Sequence, residues 1–174
     1  MTLTVENDSA VSVDFDIEDV FLDVFGEACD QAGCPYEAEV FVRLVDDDEI
    51  RAANSRFRGI DSATDVLSFP FVEYESPADF SDFDRREELF NPDTGQLMLG
   101  DVLISLETAK RQAGDFGHSL KRETAFLFAH SMLHLFGFDH VDDDERKVME
   151  KKQEEILSAL GITREQQSNK TVKK

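Results

Sequence analysis

The chain has 174 residues, 41% of them hydrophobic, with fifteen Phe, no Trp and a formal charge of −20. That length suits one ordinary domain with a core of its own, needing neither disulfides nor a structural metal to fold. No apolar run approaches the length of a membrane span, and the charge taken alone argues against nucleic acid as a partner, because a uniformly acidic surface repels phosphate backbones.

The opening MTLTVENDSA has neither a basic n-region nor an apolar h-region, so the expected compartment is the cytoplasm. Either LTVE or VSVDF supplies a first strand by its alternation. IEDVFLDVFGEACDQAG then places Val20, Phe21, Val24, Phe25 and Ala28 at helical spacing and stops at Gly33. Cys29 and Cys34 read as partly buried free thiols at the end of that helix, because no further cysteine exists to complete a site. AEVFVRLV is a β-branched strand, and the acids from Asp46 suit the start of a helix running through Phe57.

TDVLSFPF and LMLGDVLIS are two more strands. Between them VEYESPADFSDFDRREELFNPDTGQ is acidic and turn-rich, and reads as a long, mobile surface excursion over residues 73–96. LETAKRQAGDFG predicts a helix broken by its glycines. Ser119 caps the next and more apolar helix, LKRETAFLFAHSMLHLF, which Gly137 stops. Asp142 and Glu145 match a capping box for a last helix with an apolar stripe of Val148, Met149, Ile156, Leu157 and Leu160. Residues 1–162 are expected to form a single domain, followed by a polar, disordered tail over 163–174. About four strands and five helices, most of them late in the chain, predict an α+β fold with a small sheet against a helical layer.

Three of the four histidines fall within HSMLHLFGFDH, at His130, His134 and His140. Residues four apart in a helix are separated by about 6 Å along the axis and roughly 40° around it, so His130 and His134 share a face. Gly137 can adopt the left-handed conformation that folds the chain back and brings His140 to them. Three neutral imidazoles leave a fourth tetrahedral position of one Zn²⁺ ion for water, the mark of a catalytic rather than a closed structural site. Burying the three rings without a metal would leave nitrogens unpaired, at roughly 1–3 kcal/mol each. His118 stands alone in a glycine-flanked turn and reads as an ordinary turn residue.

The spacing H-x-x-x-H-x-x-G-x-x-H is shared with metzincin proteases, whose motif puts Glu directly after the first His. Here that residue is Ser131, whose hydroxyl cannot deprotonate a metal-bound water. The basic residues gather in two groups, Arg43, Arg51, Arg56 and Arg58, then Lys110, Arg111, Lys121 and Arg122; paired, solvated helix faces account for them as well as a binding surface does.

With FRGIDSATDVLSFPF (Phe57–Phe71) and LGDVLIS (Leu99–Ser105), the histidine segment resembles the YbeY family of bacterial metal-dependent endoribonucleases, and the resemblance extends from about Asn54 to Leu160. It implies a zincin-like α+β fold with a small mixed sheet and zinc on His130, His134 and His140. It further implies cleavage of single-stranded RNA, with no DNA or membrane partner, in maturation of small-subunit ribosomal RNA and in ribosome quality control. It places Arg58 across the cleft from the metal, where a guanidinium fork could hold the scissile phosphate; without the resemblance, an ion pair with Asp61 or Asp65 would be the default. Asp139 and Glu123 are candidates to orient a ligand imidazole or to act as base, Glu123 because it lies seven residues before His130 on much the same face. Ser131, where the family commonly has glycine, is expected to bond back to the carbonyl four residues earlier. Two other readings stay open: a metallohydrolase of peptides or small substrates, and a ribosome assembly factor with a structural zinc.

Overall fold

The computed structural model describes residues 1–164. In chain order the elements are β1 (Thr2–Asn7), α1 (Ile17–Ala32), β2 (Ala38–Val45), α2 (Asp47–Arg58), β3 (Val66–Pro70), β4 (Leu97–Ser105), α3 (Leu106–Phe116), α4 (Leu120–Leu135) and α5 (Asp143–Ala159). Two 3-10 turns, Phe83–Arg85 and Glu87–Leu89, lie between β3 and β4. The architecture is the expected α+β class: four strands in the order β1-β2-β4-β3, with β3 antiparallel at one edge of an otherwise parallel sheet. Among the described residues no helix is long and apolar enough to cross a membrane.

Successive side chains of a strand point to opposite faces of its sheet. Val40, Val42 and Leu44 of β2 and Val102 and Ile104 of β4 enter the main core, which α1 supplies with Phe21, Val24 and Phe25 and α4 with Phe128 and Met132. A smaller cluster of Val45, Ile50 and Leu67, joined by Ala53, Phe69 and Leu103, seats α2 on the opposite face. The edge strand β3 is therefore packed from both sides. Ser68 reaches α4, where its hydroxyl donates to Ser131 Oγ at 2.9 Å, while Leu67 and Phe69 turn toward α2.

Several expectations are corrected in detail. Of the two candidate first strands only Thr2–Asn7 pairs, beside β2; Val11, Val13 and Phe15 cover the core from an irregular segment. Gly114 does not break α3. The helix runs on to Gly117, because burial of Leu106, Ala109 and Ala113 outweighs the ~1 kcal/mol that one interior glycine costs. Ser131 bonds across to β3 rather than back along its own helix. The 73–96 excursion is pinned and not a loose surface loop. Phe83 and Leu89 are buried in the core, and Phe80 contacts Phe83 at 5.3 Å and Phe136 at 6.0 Å between ring centroids. The acids of this segment dominate its composition while its aromatic residues decide its position. In α5 the capping box of Asp142 and Glu145 is present. Val148 is exposed, and Gln153 takes the buried place beside Met149 and Ile156. Of the tail expected from residue 163 onward, residues 165–174 lie outside the described residues.

Candidate metal centre

Helix α4 begins where Ser119 Oγ accepts the Arg122 amide at 3.1 Å. It ends in a turn made by sequence: the Gly137 amide donates to His134 O at 3.0 Å and the Phe138 amide to Leu133 O at 3.0 Å. Gly137 has φ 88, and a Cβ there would stand 2.8 Å from the Tyr74 ring. Both the dihedral and the close approach call for glycine. The reversal returns the chain past its own helix, and the Asp139 carboxylate accepts the His140 amide at 2.8 Å to hold the last histidine in place.

The three rings converge. Nε2 of His130 and Nε2 of His134 are 3.0 Å apart, and ligand atoms of His130, His134 and His140 all lie within 4.8 Å of one another. Among the described residues no fourth His, Cys, Asp or Glu joins this group. Burial, and then the neighbouring His134 and His140, lower the His130 pKa to about 4; burial, and then His140, lower that of His134. Both rings are neutral near pH 7, with a lone pair to offer. The set is able to hold a metal ion.

A further ring nitrogen of His130 and of His134 is engaged by protein. His130 Nδ1 meets the side-chain amide of Gln153, from α5, at 3.0 Å, and His134 hydrogen-bonds the Phe138 backbone. These contacts aim the rings and select their tautomers. Gln153 was not singled out from the sequence, although a polar residue within the apolar stripe of α5 was the available signal. Asp65, which the sequence offers only as a default partner for Arg58, acts by its charge on His130 and on Glu123 from the loop before β3.

Arg58 ends α2, and its charge acts on His134. The carboxylates that were its default partners are taken. Asp61 receives Arg51 at 2.8 and 3.2 Å, and Asp65 accepts the Val66 amide at 2.8 Å and the Thr64 hydroxyl. Three of the other clustered cations are paired too, Arg43 with Asp8, Arg111 with Asp47 and the buried Arg122 with Glu154. Among the described residues no carboxylate pairs with Arg56 or Arg58. Glu123, by contrast, is turned to His118, whose Nε2 lies 3.0 Å from its carboxylate. Burial, and then Asp65, raise its pKa to about 7.

Comparison with known proteins agrees across the chain. The family model described as Endoribonuclease YbeY matches residues 3–161. A Lachnospira eligens protein of that name is 50% identical over 169 residues, spanning 94% of this chain and 100% of the relative. One from Agathobacter rectalis is 51% identical over 165 residues, with the same coverage. A Thermotoga maritima protein solved in solution shares the fold at a TM-score of 0.56 and 20% identity, covering 99% of this chain and 100% of the other.

Proposed function

The chain belongs to the endoribonuclease YbeY family, and from that premise we propose that it is a zinc-dependent endoribonuclease of single-stranded RNA, acting in the cytoplasm in small-subunit ribosomal RNA maturation and ribosome quality control. The observation that carries this reading is the meeting of three imidazole nitrogens within 4.8 Å with no acid among them. Residues 1–162 serve as one catalytic domain of zincin-like design, a histidine pair on consecutive turns of a helix beside the edge strand of a mixed sheet.

The residues fit a zinc ion. A tetrahedral Zn²⁺ with Zn–N of about 2.0–2.1 Å holds its nitrogens roughly 3.3 Å apart, near the 3.0 Å between His130 and His134. Gln153 fits the same reading from behind: its amide nitrogen stands 3.0 Å from His130 Nδ1, and a half-turn about the terminal bond of the side chain would instead present the oxygen to Nδ1–H and leave Nε2 deprotonated for coordination. When bound, the ion supplies Lewis acidity and an acidified water.

The chain's own groups do the rest. Arg58 grips the non-bridging oxygens of the scissile phosphate and offsets the charge that gathers on them, a task suited to a guanidinium with no competing carboxylate among the described residues. Asp139 and Gln153 act as positioning residues, through the His140 backbone and the His130 ring. Ser131 joins β3 to α4 and takes no part in proton transfer; this, with no glutamate in its place, weighs against the peptide-hydrolase alternative. Three ligands rather than four weigh against a purely structural zinc.

The test is elemental analysis of the purified chain beside cleavage of an unstructured RNA and its DNA counterpart. Wild type is expected to carry about one equivalent of zinc and to cut RNA alone, and His130→Ala to lose both metal and cleavage. Equal cleavage by wild type and His130→Ala would refute the assignment.

A further inference from the structure

The face of the sheet that carries α2 presents a line of rings and one unpartnered acid. Phe41 of β2 stands opposite Asp101 of β4, and Asp101 stands opposite Phe69 of β3, so the three side chains form a row across adjacent strands on one face. Phe57, from the last turn of α2, adds its ring edge-on to Phe69 at 5.1 Å and 68°. The guanidinium of Arg56 lies 5.2 Å from the centre of the Phe57 ring. Phe57 remains 60% exposed, and Phe71, two residues beyond Phe69, remains 54% exposed. Phe41, Phe57, Phe69 and Asp101 border a groove of ≈ 400 Å³.

Such a surface is costly to leave open, and its chemistry indicates what covers it. Single exposed aromatics are ordinary, whereas several sharing one groove mark a binding face. Arg43 and Glu49, which also line the groove, pair with each other, whereas Arg56, over the Phe57 ring, and Arg58, next after Phe57 in the chain, have no carboxylate partner among the described residues of a chain with a formal charge of −20. A ligand with flat π-faces and regularly spaced negative charges satisfies rings and cations together, and single-stranded nucleic acid has that character. Position links the groove to the histidines. Arg58 acts electrostatically on His134 and shares the last turn of α2 with Phe57, so a phosphate held by Arg58 stands within a helical turn of the Phe57 backbone, a separation one nucleotide can span. Asp101 has no hydrogen-bond or ion-pair partner among the described residues, and burial raises its pKa. Within the groove it is an acceptor for an amino group on a base edge.

We propose that Phe57, backed by Phe69 and Arg56, is a stacking platform for a nucleobase of the RNA strand flanking the cleaved phosphate, and that Asp101 accepts from the exocyclic amine of a base in the same groove. The proposal rests on the endoribonuclease reading above and deepens it. It makes the enzyme favour amine-bearing bases such as cytosine over uracil beside the cut.

The measurement is fluorescence anisotropy of a labelled, cleavage-resistant 2′-O-methyl oligocytidylate, its uridylate counterpart and an abasic sugar-phosphate strand, each with wild type, Phe57→Ala, Phe57→Leu, Phe57→Trp and Asp101→Leu. Removing one stacking ring is expected to weaken oligocytidylate binding by roughly 5- to 150-fold. Leucine should behave as alanine does, tryptophan should restore binding, and none of the Phe57 changes should alter affinity for the abasic strand. Asp101→Leu should erase the preference for cytidylate. Full binding by the leucine variant, or an equal loss on the abasic strand, would overturn the platform. So would variants that keep wild-type RNA affinity while losing self-association in sedimentation, since the face would then belong to a second copy of the chain. If wild type neither binds nor cleaves RNA, the endoribonuclease reading falls together with this one; if wild type does both and Phe57→Ala is unchanged, the platform alone falls.

Discussion

Helix α4 carries histidines near both ends, and the two situations are opposite. Before its first turn His118 is closed off, with Nε2 3.0 Å from the Glu123 carboxylate and Nδ1 3.3 Å from the Ser119 carbonyl. At its last turns His130 and His134 each spend one nitrogen on an uncharged protein group and turn the other toward a second imidazole. An imidazole with both nitrogens satisfied by protein has nothing left to coordinate. One held from behind by a neutral amide or carbonyl is aimed and still has a lone pair free. Helix position alone does not separate the two ends; the identity of the partner does.

The sharpest way to break this comparison is to delete a ring at each end. His134→Ala is expected to lower zinc affinity at least ~100-fold, beyond what loss of a supporting residue costs, whereas His118→Ala leaves zinc stoichiometry unchanged; competition with a chromophoric chelator reads both. Next in size is Arg58→Ala, for which kcat should fall about 10²–10³-fold, as when one oxyanion donor is removed, with zinc content intact. If instead zinc were lost, Arg58 would belong to the fold of the site rather than to its chemistry.

Removing the support of the ring is the finer probe. Gln153→Leu takes away the partner of His130 Nδ1 and should weaken zinc binding by roughly 10- to 100-fold. Gln153→Glu, whose carboxylate can only accept from that nitrogen, should restore it. Equal zinc affinity in all three proteins would show that the amide merely fills space.

The smallest effect is at the opposite end and is read by pH. Glu123 has a folded pKa of about 7 against an ordinary 4.5, so between those values the native state binds more protons than the unfolded state and stability falls as pH rises. Glu123→Gln lacks that loss. Its melting temperature should rise relative to wild type from about pH 5 to about pH 7, by an amount equivalent to roughly 1–3 kcal/mol. Parallel pH profiles would mean that His118 keeps the carboxylate charged throughout.

Much of the centre was legible because its logic is short-range. His130 and His134 need only helical periodicity, and His140 joins them through a reversal that Gly137, Phe138 and Asp139 make within their own few residues. Most strands and caps follow from alternation, Ser119, and the pair of Asp142 and Glu145. The 73–96 segment misled because its many acids outweigh a few aromatics in composition, while burial of Phe83 and contact of Phe80 with Phe136 govern its energy.

By itself the sequence determined the element types, the α+β class and the histidine triad, since dihedral preference, periodicity and capping act over a few residues. Only the tertiary structure decided that Gln153 stands behind His130 from 23 residues away, that Asp61 goes to Arg51 and leaves Arg58 with no carboxylate partner among the described residues, and that Asp101 lies between Phe41 and Phe69. Those outcomes depend on which strands become neighbours and on which of several carboxylates reaches a cation first. They are settled by packing of the whole sheet against its helices, where distance along the chain carries no information about distance in space.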